Sequence, residues 1–192
     1  MSDKLKSKLD SISSKAQPLK STDGAIELNP GNPQHKDWFE ENPYVISSKW
    51  DKRFMDVAYQ IAAWSTCLRR QCGAVIVRDK RIIATGYNGA PAGVFECSSG
   101  RVCLREKIQV PSGERQELCI ATHAEQNAIV QAAKFGISVE GATMYATNHP
   151  CSLCAKLIIN AGIKDVYYVG DYNDELAKEL LKEAKVFIHK IE

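Results

Sequence analysis

Residues 142–189 read ATMYATNHPCSLCAKLIINAGIKDVYYVGDYNDELAKELLKEAKVFIH. Ala142–Thr147 is a short run of β-formers and predicts a strand. Cys151–Ala161 carries apolar residues at helical spacing and stops at Gly162, so it predicts a helix. Val166–Val169 predicts a second strand, Asp174–Ala184 a helix opened by an acid, and Val186–His189 a last strand. Strand, helix, strand, helix, strand implies parallel neighbours, because parallel strands need crossover connections. The fold class is therefore α/β.

Working outward, Thr122–Phe135 predicts a helix with Ala128, Ile129, Ala132 and Ala133 as its buried stripe, ended by Gly136. Gly73–Arg78 and Arg81–Gly86 are rich in β-branched residues and flank Asp79-Lys80, which predicts a hairpin. Trp50–Cys67 repeats Phe54, Val57, Ala58, Ile61, Ala62 and Trp64 at three- and four-residue spacing, which predicts a helix. Residues 90–118 show no periodicity and contain several Gly and Pro; so long an irregular piece inside a domain is functional or pinned by something. Residues 1–48 read as an N-terminal extension, flexible or loosely docked; Asp3–Ser13 reads as a disordered tail before it reads as a short helix, although Leu5, Leu9 and Ile12 would share one face. Residues 49–192 form one domain, and no internal repeat is visible.

The 192 residues suffice for a single domain of about 150 residues plus an extension, and 44% of them are hydrophobic, enough for a proper core. A net charge of only +2 argues against a dedicated nucleic-acid binder, which shows a basic face or stripe. No apolar leader opens the chain and no run is long enough to cross a membrane, so a cytoplasmic setting is expected. There, seven cysteines point to metal binding more than to disulfides.

The chemistry concentrates in His123-Ala124-Glu125 and Pro150-Cys151-Ser152-Leu153-Cys154. One His and two Cys make the three-ligand set of a catalytic zinc, which keeps its fourth position for water. His123 and Cys151 both stand at predicted helix starts, where backbone N–H groups and the helix dipole favour thiolates. Glu125 is spare in the ligand count and placed to move a proton. A lone CxxC reads as a redox pair or half of a structural site, and a lone HAE as an ordinary helix cap; it is their pairing, 28 residues apart, that points to zinc.

His123-Ala-Glu-Gln-Asn-Ala-Ile129, Pro150-Cys-Ser-Leu-Cys-Ala-Lys-Leu-Ile-Ile-Asn-Ala-Gly-Ile163 and Gly86-Tyr-Asn-Gly-Ala-Pro91 resemble the deoxycytidylate (dCMP) deaminase family. The pattern H-x-E…P-C-x-x-C is the signature of zinc nucleobase deaminases. The resemblance runs from about Trp50 to His189. It implies a three-layer α/β/α sandwich around a mixed five-stranded sheet, and zinc held by His123, Cys151 and Cys154. It also implies zinc-bound hydroxide attack at cytosine C4 with Glu125 as proton carrier, and release of ammonia. A homo-oligomer of up to six subunits and regulation by dCTP and dTTP follow from it as well. By the same resemblance Asn88 contacts the sugar or phosphate, Ala124 is a substrate-binding residue, and Tyr172 falls where the family places a nucleotide-contacting aromatic. Asn88 also reads as a plain Asn-Gly turn. Arg69 or Arg70 reads either as a phosphate contact or as a solvated surface arginine. Relatives carrying a second, structural zinc suggest that Cys67, Cys97, Cys103 and Cys119 hold one here, Cys67 ending the first helix; the other reading is that they are ordinary thiols, as Cys72 is taken to be a small core residue. Other substrates for the same chemistry are dCTP, cytidine, a pterin-like ring or a tRNA adenosine. A different class of reading is a competence-associated nucleotide-binding protein, against which the intact Glu125 argues.

Overall fold

Strands form where β-branched and aromatic residues alternate between two apolar layers. In the computed structural model, which describes residues 21–22, 25–26, 49–111 and 113–191, Gly73–Arg78 (β1) and Arg81–Tyr87 (β2) make the expected antiparallel hairpin. Asp79 and Lys80 both take positive φ, 50° and 58°, the geometry of the tight turn whose twist suits a two-residue hairpin. Thr143–Asn148 (β3) pairs antiparallel with β1, Asp165–Gly170 (β4) parallel with β3, and Phe187–Lys190 (β5) parallel with β4. The order β2-β1-β3-β4-β5 is a mixed five-stranded sheet.

Every residue from Gly73 to Val77 is buried, as befits a strand covered on both faces. Alternation sorts the side chains. Val75, Val77 and Tyr145 join Phe54, Met55, Ala58 and Ile61 of helix α1, Lys49–Ala62. Ala74, Ile76, Met144 and Ala146 join the other face, beneath α3 (Ala124–Lys134), α4 (Ser152–Asn160) and α5 (Glu175–Glu183). The four-residue helix α2 is Leu104–Lys107. The three-layer α/β/α arrangement expected from the resemblance is present. Tyr145 O–H donates to Asp51 Oδ1 (2.7 Å), tying the first turn of α1 to the central strand.

Two glycines set the layer spacing. A Cβ on Gly86 would lie 2.2 Å from the Ala124 carbonyl oxygen, and one on Gly73 would lie 2.1 Å from that of Ala58. Backbone therefore touches backbone on both sides of the sheet, and the helix opening with Ala124 can settle directly on β2.

Some expectations need correction. Helix α1 stops at Ala62, so Trp64 lies outside it and is 63% exposed, and Cys67 sits in irregular chain rather than at a helix end. The reason is tertiary: Ser65 Oγ lies 2.7 Å from Asn88 Oδ1 and 2.8 Å from the Asn88 backbone oxygen, which draws the chain out of the helical path. In α3 the buried residues are Ala124, Glu125, Ala128 and Ala132; Ala133 is exposed and Ile129 half-buried. The chain divides into two units, Met1–Pro43 and Tyr44–Glu192. In the first, Ser21–Thr22 pairs antiparallel with Ala25–Ile26; Asp3–Ser13, read as a tail or a short helix, falls outside the described residues. Among the described residues no helix is long and apolar enough to cross a membrane.

Candidate active site

His123 and Cys151 occupy the residues just before α3 and α4, in extended backbone (ψ 158° and 170°). Each helix is braced there. Gln126 Oε1 accepts from the His123 backbone N–H (3.0 Å), and Asn127 Nδ2 donates to the Tyr87 carbonyl (2.6 Å), locking α3 to the end of β2. Asp174 takes the N–H of Ser152 (2.8 Å) on one oxygen and that of Ala177 (3.0 Å) on the other, so the cap of α5 also holds the cysteine turn.

These braces aim three ligand atoms at one point. Cys151 Sγ and Cys154 Sγ lie 3.4 and 3.3 Å from His123 Nδ1, and all three atoms fall within 4.8 Å of one another. Around a tetrahedral zinc, with Zn–S about 2.3 Å and Zn–N about 2.0–2.1 Å, sulfur and nitrogen sit about 3.5 Å apart. Geometry and donor chemistry fit zinc. Among the described residues this is the sole such set of His, Cys, Asp or Glu. The Cys151 thiol is held down to about 4, first by its hydrogen bond with Cys154 and, against burial, by that with His123; Cys154 is correspondingly pushed up. His123 is raised chiefly by its bond to Cys151, with burial and the more distant charge of Arg105 opposing.

Glu125, 8% exposed, turns inward beside this set. Burial pushes its carboxyl up, opposed by a backbone hydrogen bond and by His123. A buried carboxyl beside a ligand set, with its pKa raised, is the kind of group that serves as a proton carrier.

His123 and Cys151 of this set, with Glu125, line a cavity of about 340 Å³, within the range of small-molecule sites. Three arginines line it, Arg69, Arg70 and Arg105, against a single carboxylate, Glu125. The chain as a whole is nearly neutral, yet this cleft is electropositive.

Residues 48–170 match the family described as the cytidine and deoxycytidylate deaminase zinc-binding region. The chain belongs to that family. Among this family's members, ComE operon protein 2 of Bacillus subtilis is 43% identical over 145 residues, 74% of this chain and 71% of that protein. The deoxycytidylate deaminase of Schizosaccharomyces pombe is 38% identical over 146 residues. The match takes in 76% of this chain but 45% of the yeast enzyme, so the chain spans less than half of that relative's length. Among solved structures, the dCMP deaminase of cyanophage S-TIM5, in complex with dCMP and dUMP, superposes with a TM-score of 0.62 at 29% identity, over 76% of this chain and 99% of that one.

Set within this deaminase fold, the residues singled out in the sequence fare differently. Ala124, Asn88, Arg69 and Tyr172 all line the cleft. The Asn88 amide is already engaged: Oδ1 accepts from Ser65 Oγ–H (2.7 Å) and the Cys72 N–H (2.7 Å), and Nδ2 donates to the Arg70 carbonyl (2.8 Å). Arg69 Nη2 donates to the Val110 carbonyl (3.0 Å). Tyr172 clips the long irregular segment, its O–H donating to Gly113 O (3.0 Å) and its oxygen accepting from Gln116 Nε2 (2.7 Å). Cys67, Cys97, Cys103 and Cys119 all reach the cavity wall. Cys97's thiol is pushed up by burial and then by the neighbouring Cys103, Cys67 and Cys119. These four are thus brought together, though not within the spacing of the first set. Cys72 lines the cleft too, half-buried.

Among the lining residues that the sequence did not single out are His149, Arg105 and Gln116. His149, 5% exposed, keeps Nδ1 2.8 Å from the Pro150 carbonyl, so Nδ1 bears the proton; burial holds it below the usual histidine pKa and neutral. Its position before Pro150 was the available signal. Arg105 and Gln116 stand in a segment without periodicity, where no pattern says which side chains turn inward.

Proposed function

We propose that this chain hydrolyses dCMP to dUMP and ammonia. The observation that carries the reading is a zinc-type ligand set with a spare buried glutamate, at the wall of a cleft with three arginines and one carboxylate. The likeness to deoxycytidylate deaminases supports the cytosine base; the excess of cations supports a phosphate on the substrate.

His123, Cys151 and Cys154 hold the zinc. When bound, the ion would supply a Lewis acid able to lower the pKa of water toward neutrality. Glu125 accepts one proton of the attacking water and delivers it to ring N3, then takes the remaining proton from the new C4 hydroxyl and hands it to the departing amine, so that oxygen replaces nitrogen on C4 and ammonia leaves. Asn88 meets the sugar or phosphate with its remaining N–H, while Ala124 and Tyr172 border the nucleotide and Arg69 adds charge at the mouth. Cys67, Cys97, Cys103 and Cys119 would hold a second, structural zinc. The reaction belongs to residues 49–192, in a cytoplasmic homo-oligomer of up to six subunits that makes dUMP for dTTP synthesis under control by dCTP and dTTP. The likeness to dCMP deaminases supports these last features.

Ammonia release measured over dCMP, dCTP, CMP, deoxycytidine, cytidine and a tRNA anticodon stem tests the reading. The expected result is a kcat/KM for dCMP far above that of any nucleoside; equal values for dCMP and deoxycytidine would overturn it. A second reading is a competence-associated nucleotide-binding protein without turnover, kept because the chain is also 43% identical to ComE operon protein 2, whose name states no reaction. Zinc-loaded protein that binds dUMP but releases no ammonia from any member of the panel would select it.

A further inference from the structure

Two buried polar atoms in this domain lack any hydrogen-bond partner among the described residues: Arg105 Nε and Gln116 Oε1. Both side chains line the cleft. Leaving a buried donor or acceptor unsatisfied costs about 1–3 kcal/mol, more for a charged group, so folded chains rarely keep two in one cavity.

Neither side chain is free to turn away and satisfy itself. Arg105 is held at both ends: its carbonyl accepts from the Val110 N–H (2.8 Å) and its Nη2 donates to the Pro111 carbonyl (3.2 Å). No carboxylate pairs with it among the described residues. Gln116 is fixed through Nε2, which donates to Tyr172 Oη (2.7 Å) and reaches Gly113 O (3.4 Å). That leaves its oxygen as the unused end. The two orphans are chemically opposite, a cationic donor and a neutral acceptor. A 2′-deoxynucleoside 5′-monophosphate offers the complement: acceptor oxygens on its phosphate and one donating hydroxyl, at the 3′ position.

The lip arginines are poorer candidates for the phosphate. Arg69 and Arg70 are exposed, whereas Arg105 is half-buried; Arg69 and Arg105 each give Nη2 to a carbonyl, but of the three it is Arg105 whose buried Nε is left without a partner. Exposed charges are hydrated and screened, whereas a guanidinium with buried Nε meets phosphate as a fixed fork.

We infer that Arg105 and Gln116 form the sugar-phosphate subsite of this cleft, Arg105 pairing with the 5′-phosphate and Gln116 Oε1 accepting the hydrogen bond of the 3′-hydroxyl. This rests on the nucleotide reading above. On it, the irregular segment 90–118 exists to carry these two groups to the base-binding wall, and the Tyr172 clip keeps Gln116 in register.

Three variants of the zinc-loaded full chain test this: Arg105→Ala, Arg105→Lys and Gln116→Leu. Each is compared with wild type in kcat/KM for dCMP, deoxycytidine and 2′,3′-dideoxycytidine 5′-monophosphate, and in dUMP affinity by calorimetry. Losing a hydrogen bond to a charged group should lower the dCMP-to-deoxycytidine ratio roughly 10- to 100-fold in Arg105→Ala, and weaken dUMP binding by a similar factor. Arg105→Lys keeps the stem and a donor for Pro111 but removes Nε; it shows the same shift in smaller measure, and decides the matter if the alanine variant does not fold. Gln116→Leu should lose the wild-type preference for dCMP over its 3′-deoxy analogue. Both substrates falling together at an unchanged ratio would overturn the inference, as would a persisting 3′-hydroxyl preference in Gln116→Leu. Failure of the nucleotide reading itself looks different: wild type would then show no preference for dCMP over deoxycytidine before any residue is changed.

Discussion

Glu125 and Asn88 are both buried polar side chains in the same cleft, at 8% exposure each, yet the structure uses them differently. Glu125 stands outside the ligand set, and its carboxyl is raised by burial; proton transfer is its proposed role. Glu125→Gln keeps the shape and removes the proton carrier. Ammonia release should fall by about 10²–10⁴-fold or more, while metal analysis finds the catalytic zinc still present; near-wild-type turnover would assign the proton to another group. Asn88 closes three hydrogen bonds around Ser65, Arg70 and Cys72. Asn88→Ala strands the Cys72 N–H and the Arg70 carbonyl, and should lower unfolding free energy by about 1–3 kcal/mol in denaturant titrations of the ligand-free protein. A residue that served substrate alone would lower activity and leave that midpoint where it was.

At the scale of elements, catalysis depends on how helix starts are held. Asp174 is the clearest lever: one carboxylate caps α5 through Ala177 and braces α4 through Ser152, next to the ligand Cys151. Asp174→Ala should cost about 0.5–2 kcal/mol, the usual size of a lost cap, and weaken zinc retention in a chelator competition. Burial pushes this carboxyl up, but the N–H groups of Ser152 and Ala177 outweigh it and hold its pKa below the ordinary 3.8. The sign follows: unfolding releases a group that binds protons more readily, so the stabilisation is fully present above the unfolded value and is lost as pH falls through the lower folded one. The stability gap between wild type and Asp174→Ala should stay constant from about pH 7 to pH 5 and narrow below about pH 4. A gap indifferent to acid would mean that the carboxylate's charge contributes nothing.

For the molecule as a whole, the question is what fastens the long segment between β2 and α3. Hydrogen bonds do part of it. Gly89 and Thr122 exchange N–H···O bonds of 3.2 and 2.9 Å across its two ends, Ser98 N–H donates to the Thr66 carbonyl (3.2 Å), and Arg69 and Tyr172 clip its middle. Val110 is buried, but Val94, Phe95, Val102, Leu104 and Ile108 are exposed, so burial contributes little to its order. A four-thiolate zinc would add folding free energy directly. Metal analysis of protein purified without chelator should then find two zinc ions per chain, and Cys97→Ser should lose one of them and open residues 90–118 to limited proteolysis. One zinc per chain in the wild type would return Cys67, Cys97, Cys103 and Cys119 to the status of ordinary thiols.

The sequence by itself determined the parts governed by short-range rules. Alternation and turn residues located the hairpin around Asp79-Lys80. Helical spacing and Gly162 located α4, and strands alternating with helices implied the parallel half of the sheet. His123 and Cys151 were legible as helix-cap ligands because the chemistry of a zinc site and the polarity of a helix start coincide at the same residues. Tertiary structure alone decided the rest. Helix α1 ends at Ala62 because Ser65 meets Asn88, 23 residues away. Glu125 rather than Ala133 shares the buried face of α3 because Gly86 lets that helix sit backbone to backbone on β2. Arg105 and Gln116 turn into the cleft because Val110, Pro111 and Tyr172 hold their other ends, the last from 56 residues away. Periodicity reports which face of a regular element is buried; in irregular chain the backbone has no face, and a side chain's direction is set by the distant partners that its neighbours find.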